Sequence, residues 1–177
     1  VELPALAASP QTNVAGGIPA DELIGMTEST DPIPGEHVVA AIPMDQRDDD
    51  GPTPAAPLAI GTRAGVVKRW NREAPTTMDS WSVIDLKDGD SVLFAADAAD
   101  EDRLVFIASD SSLLTFDAGN VRPQGRTAGG MAGIRLAEGC TAITFNVVPA
   151  GKIAWTYEEG DNGMFSASGA VVLTVAG

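Results

Sequence analysis

The sequence predicts an all-β protein built from repeated units. Three observations predict this class: apolar segments of strand length recur along the chain, turn residues bound each of them, and no window shows the apolar period of an amphipathic helix. The segments are HVVAAIP (37–43), PLAIGT (57–62), GVVKRW (65–70), SVLFAAD (91–97), RLVFIAS (103–109), SLLTFD (112–117), TAITFNVV (141–148), KIAWTY (152–157) and AVVLTVAG (170–177).

In two of these segments the order of apolar and polar residues predicts whether one or both faces of the strand are buried. RLVFIAS is apolar on both faces, which is typical of an interior strand. In TAITFNVV, residues Ile143, Phe145 and Val147 alternate with polar neighbours, which predicts a half-buried strand with these three side chains on its inner face.

The segments recur in units of about 50 residues, a period typical of propeller-like folds. PGEHVVAAIP, DGDSVLFAAD and EGCTAITFNV align on Gly35, Gly89 and Gly139, and AIGTRAGVVKRW aligns with FIASDSSLLTFD so that Ile60 matches Ile107. SWSVIDL before Gly89 and GMAGIRL before Gly139 close the units. Each unit reads as strand, acidic loop, strand, tight turn, strand, return segment and closing strand, which predicts a four-stranded blade.

We therefore expect a single domain over 1–177, with a remnant of an earlier blade at 1–34, blades at 35–87 and 88–137, and an incomplete blade at 138–177. The chain opens on Val1 and stops on VVLTVAG, which reads as an unfinished strand. We expect it to be a piece of a longer protein.

Composition limits the functions that are open to the chain. With 25 acidic and 11 basic residues, the formal net charge of −14 predicts overall repulsion of nucleic acids and anionic membranes, so any polyanion must bind locally. No apolar run approaches the ~18 residues that span a bilayer. The single Cys140 cannot form an internal disulfide, and a reducing cytoplasm is the expected location.

The charges are segregated into separate stretches. Residues 21–50 hold nine acids and one arginine, and the loop 97–102 holds four acids. Two stretches, 61–72 and 121–136, are basic without any acid, and the second also contains four glycines. Together they hold seven of the eleven basic residues, namely Arg63, Lys68, Arg69, Arg72, Arg122, Arg126 and Arg135.

These seven residues are candidate contacts for a polyanion, and the alternative is that they are exposed loop cations paired with neighbouring acids. Lys68 and Arg69 are adjacent in a predicted strand and must face opposite ways, so at most one shares a rim with Arg63. Lys68 is the favoured partner of Arg126. Arg135 alternates with apolar residues and should point outward.

No catalytic or metal site is expected in this chain. The acidic run DQRDDDG (45–51) lacks the spacing of a calcium loop and is interpreted as a solvated loop. His37 has no cluster of potential ligands around it, and Tyr157 is expected to pack in the core. With one histidine and no nucleophile-elbow pattern, the chain shows no hydrolase constellation.

Three motifs carry a resemblance to a known family. GTRAGVVKRW contains T-x-x-G-x-x-K-R, DLKDGDSVLF contains L-x-x-G-D, and residues 121–136 read V-R-x-x-G-R-x-A-x-G-x-x-G-I-x-L. In these motifs the chain resembles the C-terminal domain of bacterial type IIA topoisomerase A subunits, those of DNA gyrase and topoisomerase IV. The match is specific between 57 and 139 and weakens beyond 148. Within 1–56, VELPAL resembles the return segment of an earlier blade and GEHVVAAIP resembles the first strand of the next.

The resemblance implies a β-pinwheel: Greek-key blades arranged like a propeller, with strands exchanged between neighbours. It implies that the rim of this disc binds and bends duplex DNA without reading its sequence, and that the seven basic residues are its candidate DNA contacts. Because few contacts act against a net charge of −14, binding is expected to be weak and steeply dependent on salt. The parent enzyme would be an ATP-hydrolysing isomerase that changes DNA topology. Its ATP, Mg²⁺ and catalysis would belong to other parts, so the partners of this domain would be duplex DNA, the ATPase B subunit, and the catalytic core of the polypeptide to which the domain belongs.

Two departures from the family pattern favour a topoisomerase IV-like role over gyrase-like wrapping. The chain reads AGGMAG at 128–133 where the family commonly has A-R-G-V-R-G, and the basic box Q-R-R-G-G-K-G is absent from the sequence. We therefore expect the parent enzyme to relax or decatenate DNA. The stretch 151–169 has no counterpart in the family pattern.

Two other functions remain open. The first is an acidic propeller-like module that binds proteins and has little affinity for DNA, which the charge of −14 favours and the acid-free basic stretches do not. The second is a secreted β-sandwich that binds carbohydrate. An aromatic content of 5%, mostly inside the apolar segments, argues against it.

Overall fold

A computed structural model describes residues 38–44, 55–78 and 81–152 in full, together with the backbone of four further strands. The strands are β1 (Gln46–Asp48), β2 (Gly51–Thr53), β3 (Leu58–Thr62), β4 (Val66–Trp70), β5 (Val92–Asp97), β6 (Arg103–Ala108), β7 (Leu113–Asp117), β8 (Pro123–Gln124), β9 (Met131–Ala132), β10 (Ala142–Val148), β11 (Thr156–Glu159) and β12 (Phe165–Ser168). No α-helix occurs in these ranges. The all-β prediction is confirmed.

The strands form two main sheets and two separate hairpins. The first sheet has the order β5-β3-β4-β8, with β9 also paired to β4, and the second has the order β10-β6-β7. The hairpins are β1–β2 and β11–β12. The apolar segment RLVFIAS supplies the central strand of its sheet, as its composition predicts.

Each main sheet takes a strand from the next unit of the sequence. A tight hairpin, β3–β4 or β6–β7, forms the body of the sheet, and the first strand of the following unit, β5 or β10, pairs with it antiparallel. This exchange is the feature that the pinwheel resemblance implies.

The two hairpins are equivalent in a register that differs by one residue from the sequence alignment. Gly61 pairs with Val67 and Phe94, and Ile107 occupies the same place in the second sheet, where it pairs with Leu113 and Thr144. Gly61 therefore matches Ile107, and the match of Ile60 with Ile107 was wrong. The positive φ angles of Gly65 and Ser111, one in each turn, fall at equivalent positions in this register.

The main apolar core lies between the two sheets. Phe106 and Phe145 pack at its centre with ring centroids 4.7 Å apart. Gly61 makes room for this contact, because a Cβ there would lie 2.1 Å from the Phe145 ring. A second cluster covers the other face of the first sheet and includes Ile60 and Trp70. Both faces of the first sheet are therefore buried.

Two segments that were predicted as strands are not strands. Residues 38–43, most of the segment 37–43, pair with no strand among the described residues, and Ala40 and Ile42 pack against the second apolar cluster. The closing segment 81–87 also forms no strand, and its Trp81 and Val83 pack against the same cluster. Their apolar residues cover a sheet face rather than extend the sheet.

A β-bulge in β10 explains why part of the prediction for TAITFNVV was wrong. The pairing of β10 with β6 shifts between Ala142 and Thr144, so the regular alternation is interrupted at Ile143. Ile143 is 55% exposed, whereas Phe145 is buried. The prediction that Ile143 shares the inner face with Phe145 was wrong. The predicted strand at 170–177 and the blade remnant at 1–34 lie outside the described residues.

Candidate nucleic-acid interface

The return segment, residues 121–136, covers the edge of β4 that β3 leaves free. Its first strand runs parallel to the end of β4, with Pro123 beside Arg69. Its second strand runs antiparallel to the start of β4, with Met131 beside Val67. Between them the loop 125–130 turns the chain back, so a segment that is distant in sequence lies along the whole of β4.

Glycine allows this loop to pass close to β4. Gly130 has a φ of +82°, and a Cβ at this position would lie 2.6 Å from the carbonyl oxygen of Val67. Both the backbone angle and the contact exclude a larger residue. Among the described residues, the N–H groups of Thr127, Gly129 and Gly130 donate to no backbone carbonyl.

Lys68 is fully buried, and its side chain binds the loop 125–130. Its Nζ donates hydrogen bonds to the carbonyl oxygens of Val83 at 2.7 Å, Arg126 at 2.9 Å and Ala128 at 2.6 Å. An ammonium group has three N–H donors, so all of them are used. Burial lowers the pKa of Lys68, and the charge of Asp85 partly opposes that shift.

Arg69 is also buried and holds the beginning of the return segment. Its guanidinium donates to the carbonyl oxygens of Ala118 at 3.0 Å, Val121 at 3.1 Å and Ala98 at 2.9 Å. It also forms an ion pair with Asp100 at 2.6 Å. The side chain therefore joins β4 to the acidic loop and to the residue that precedes Arg122.

Arg72 is bound within the protein as well. It donates to the carbonyl oxygens of Ala56 and Pro43, each at 2.8 Å, and it forms an ion pair with Asp97. Lys68, Arg69 and Arg72 were candidate DNA contacts in the sequence. The structure places all three among protein acceptors, and none of them lies on an open rim.

The four remaining candidates are arranged differently. Arg63, Arg122 and Arg135 are exposed, and Arg126 is half-buried. None of their side chains has a hydrogen bond or ion pair with the residues that the structure describes. We call these four residues the arginine rim.

The arginine rim is grouped at the two ends of β4. Arg122 and Arg126 flank β8, which pairs with the end of β4 at Arg69 and Trp70. Arg63 and Arg135 lie at the opposite end, because Ile134 donates to the carbonyl of Gly65 in the turn that follows Arg63. The two ends of a five-residue strand are about 13 Å apart.

The L-x-x-G-D motif fixes the turn that carries Arg63. Asp90 accepts hydrogen bonds from the N–H groups of Ala64 and Ser91, each at 2.8 Å. Gly89, with a φ of +79°, turns the chain so that Asp90 can reach that position. The sequence identified this motif as a family feature, and the structure shows how it connects two units.

The acids of the loop 97–102 are largely engaged inside the protein. Asp97 pairs with Arg72, Asp100 pairs with Arg69, and Asp102 accepts from the N–H groups of Ala99 and Ala150. The sequence predicts the charge of this loop but not these roles. The opposite charges of the segments 61–72 and 97–102 were the sequence feature that could have indicated these ion pairs.

Within the fully described ranges, no three His, Cys, Asp or Glu side chains are grouped so that they could hold a metal ion. The same part of the chain contains no helix that is long and apolar enough to cross a membrane.

Comparison with known proteins reveals relatives in sequence and in structure. Over 112 residues, 58% of the chain, it is 30% identical to the DNA gyrase A subunit of Streptomyces coelicolor, and it spans 13% of that protein. Its structure matches the C-terminal domain of DNA topoisomerase IV with a TM-score of 0.58 at 22% identity, over 73% of this chain and 40% of that one. It also matches the DNA gyrase A C-terminal domain with a TM-score of 0.50 at 23% identity, over 65% of this chain and 38% of that one. No protein-family model matches the chain.

The chain has the fold of the topoisomerase A C-terminal domains. The resemblance drawn from the three motifs is confirmed by relatives of the same kind in sequence and in structure. The chain spans 13% of the gyrase A subunit and 40% and 38% of the two solved C-terminal domains, so the comparison concerns part of one such domain.

Proposed function

We propose that the chain is a DNA-binding accessory domain of a type IIA topoisomerase A subunit. It would hold or bend a duplex segment so that the segment can pass through a break made elsewhere in the enzyme. Within this proposal ATP, Mg²⁺ and the cleavage chemistry belong to the catalytic core and the ATPase B subunit. The cytoplasm is the proposed location, which the single cysteine supports.

The observation that carries the proposal is the contrast between two kinds of cation. Lys68, Arg69 and Arg72 are bound by protein acceptors, whereas the arginine rim has no such partners among the described residues. Free guanidinium groups beside unpaired loop N–H groups offer donors to phosphate oxygens. Such contacts release counterions and carry no sequence preference.

The geometry supports binding along one edge of the first sheet. The two ends of the arginine rim are separated by the ~13 Å length of β4. This separation is similar to the width of the B-DNA major groove, about 12 Å, so one duplex can contact both ends through phosphates on either side of a groove. Bending would add contacts beyond this edge.

We further propose a topoisomerase IV-like role, in which DNA is positioned rather than wrapped. The sequence has no Q-R-R-G-G-K-G box, and positions 129 and 132 carry glycine and alanine where the family pattern has arginines. Four rim cations on a chain with a net charge of −14 favour weak binding.

Fluorescence anisotropy tests the proposal directly. A labelled duplex of about 40 base pairs is titrated with the chain over a series of salt concentrations. We expect log affinity to fall linearly with log salt, with a slope of no more than about 3.6 for the four rim arginines. A labelled duplex of unrelated sequence should bind equally well.

The decisive comparison is an Arg122→Ala/Arg126→Ala variant with a Lys152→Ala control. Lys152 is exposed and follows β10, which belongs to the second sheet and not to the return segment. The double variant should lose most of the affinity and the control should keep it. Absence of binding by the unmodified chain at low salt would overturn the proposal and favour the acidic protein-interaction module.

A further inference from the structure

The two buried cations of β4 act on the same segment of the chain. Arg69 binds the carbonyl of Val121 immediately before Arg122, and Lys68 binds the carbonyls of Arg126 and Ala128. The candidate phosphate contacts Arg122 and Arg126 therefore lie in a stretch whose backbone is bound by two charged side chains, Arg69 and Lys68. We call these two side chains the anchors. A segment of five residues, 122–126, is held at both ends.

Each anchor also fixes a second element against the return segment. Lys68 binds the carbonyl of Val83, and the neighbouring Asp85 donates its N–H to Ala128 at 3.3 Å. Arg69 binds Ala98 and Asp100 of the acidic loop. The position of the return segment is therefore set relative to β4, to the segment that contains Val83 and Asp85, and to the acidic loop.

The second sheet provides an internal comparison. In the register of the structure, Leu114 and Thr115 take the places of Lys68 and Arg69. Among the described residues, no strand pairs with the outer edge of β7. The buried cations thus occur at the hairpin whose edge carries a return segment, and they are absent from the described hairpin whose edge does not carry one.

We infer that Lys68 and Arg69 are positioning residues for DNA binding, which act by holding Arg122 and Arg126 in place for phosphate contact. This inference rests on the proposed function. A loop that is ordered before binding loses less conformational entropy on forming the complex, so the anchors raise affinity without touching DNA. Their own donors are fully or nearly fully engaged by protein oxygens.

A double-mutant cycle in the full 177-residue chain tests this role. Lys68→Met keeps an unbranched side chain as far as Cε but lacks Nζ and its three donors, and Lys152→Met is the matched control on the surface. We expect Lys68→Met to lower the affinity for the same duplex about tenfold. In an Arg122→Ala/Arg126→Ala background the same change should have no further effect, because it acts through those arginines.

Hydrogen exchange separates this inference from the proposed function. The N–H of Ala128, which donates to Gly125, should exchange faster in Lys68→Met, while core amides of β6 keep their protection. This outcome is expected even if the chain does not bind DNA at all. Unchanged loop exchange in the folded variant, or an equal loss of affinity in the alanine background, would overturn the inference.

A measurement on the unmodified chain covers the case in which Lys68→Met fails to fold. Nuclear magnetic resonance of the Lys68 ammonium should show slow proton exchange and couplings to the carbonyls of Arg126 and Ala128. On addition of duplex, the guanidinium signals of Arg122 and Arg126 should shift while the Lys68 signal does not. A fast-exchanging Lys68 ammonium, or a Lys68 shift as large as those of the arginines, would overturn the inference.

Discussion

Lys68 and Arg69 are neighbours in β4, yet their side chains lie on opposite faces of the first sheet and bind carbonyl groups at the two ends of the stretch 121–126. Lys68 binds Arg126, and Arg69 binds Val121. Strand alternation separates the two side chains, and the return segment brings their acceptors together. Two adjacent basic residues thus support two others that lie more than fifty positions later in the chain.

The first prediction concerns Arg69. Arg69→Met should lower the free energy of unfolding by about 3 kcal/mol, because carbonyls of Ala118, Val121 and Ala98 lose a charged donor in a buried place. Asp100→Asn should cost less than about 1 kcal/mol, since the Asp100 side chain is 77% exposed. Urea denaturation followed by circular dichroism measures both. Equal losses would mean that the ion pair, and not the carbonyl contacts, stabilises this junction.

The second prediction concerns the loop glycines. Gly130→Ala should lower the free energy of unfolding by about 2 kcal/mol, because it forces a side chain into a left-handed backbone beside the Val67 carbonyl. Gly125→Ala is the control in the same loop, as a Cβ there meets no atom within 4 Å. Its effect should stay within about 0.5 kcal/mol. Thermal and urea unfolding of the two variants give the comparison, and similar stabilities would contradict the assigned loop path.

These contacts show what the sequence could and could not predict. The bounds of β3 to β7 followed from apolar runs between turn residues, and the glycine-rich arginine segment was recognisable as a return segment. The burial of Lys68 was not predictable locally, because both faces and the edge of β4 are covered by residues distant in sequence. Its acceptors are backbone carbonyls, which every residue has and which leave no sequence signal.

Ile143 illustrates a second kind of failure. Alternation predicted an inward position, and a one-residue bulge in β10 reversed it. A bulge changes the face of a side chain without changing the apolar pattern that predicts the strand. The hairpin register differed by one residue for a related reason, since Ile60 and Ile107 are alike in sequence but are not equivalent in pairing.

The third prediction concerns pH and follows from the buried charge of Lys68. The unfolded chain keeps this proton up to the ordinary pKa of 10.5, whereas burial makes the folded chain release it at a lower pH. Between those two pKa values the unfolded state binds more protons, so the contribution of Lys68 to the free energy of unfolding rises with pH. Below the lowered pKa its contribution is constant.

Urea unfolding of the chain and of Lys68→Met, measured from neutral pH up to 10.5, isolates this effect. The difference in stability between the two proteins should change in favour of the unmodified chain as the pH rises through that window. A difference that is flat, or that falls with pH, would show that Lys68 titrates in the folded protein at or above its ordinary pKa.

The last prediction concerns the two ends of the arginine rim. Arg63→Ala/Arg135→Ala should lower the salt slope of duplex binding by about 1.8, the value for two lost phosphate contacts, as should Arg122→Ala/Arg126→Ala. The reason is that both pairs are free of protein partners among the described residues and lie at the ends of one strand. The fourfold variant should bind with almost no salt dependence.

The two double variants are compared in the same anisotropy titrations, with circular dichroism to confirm that the sheets remain folded. Because the ends are separated by the length of β4, their effects on the slope should add. If only the Arg122/Arg126 variant changed the slope, the duplex would cross the loop end alone and would not run along the edge of β4. Equal and additive effects would place the duplex along that edge.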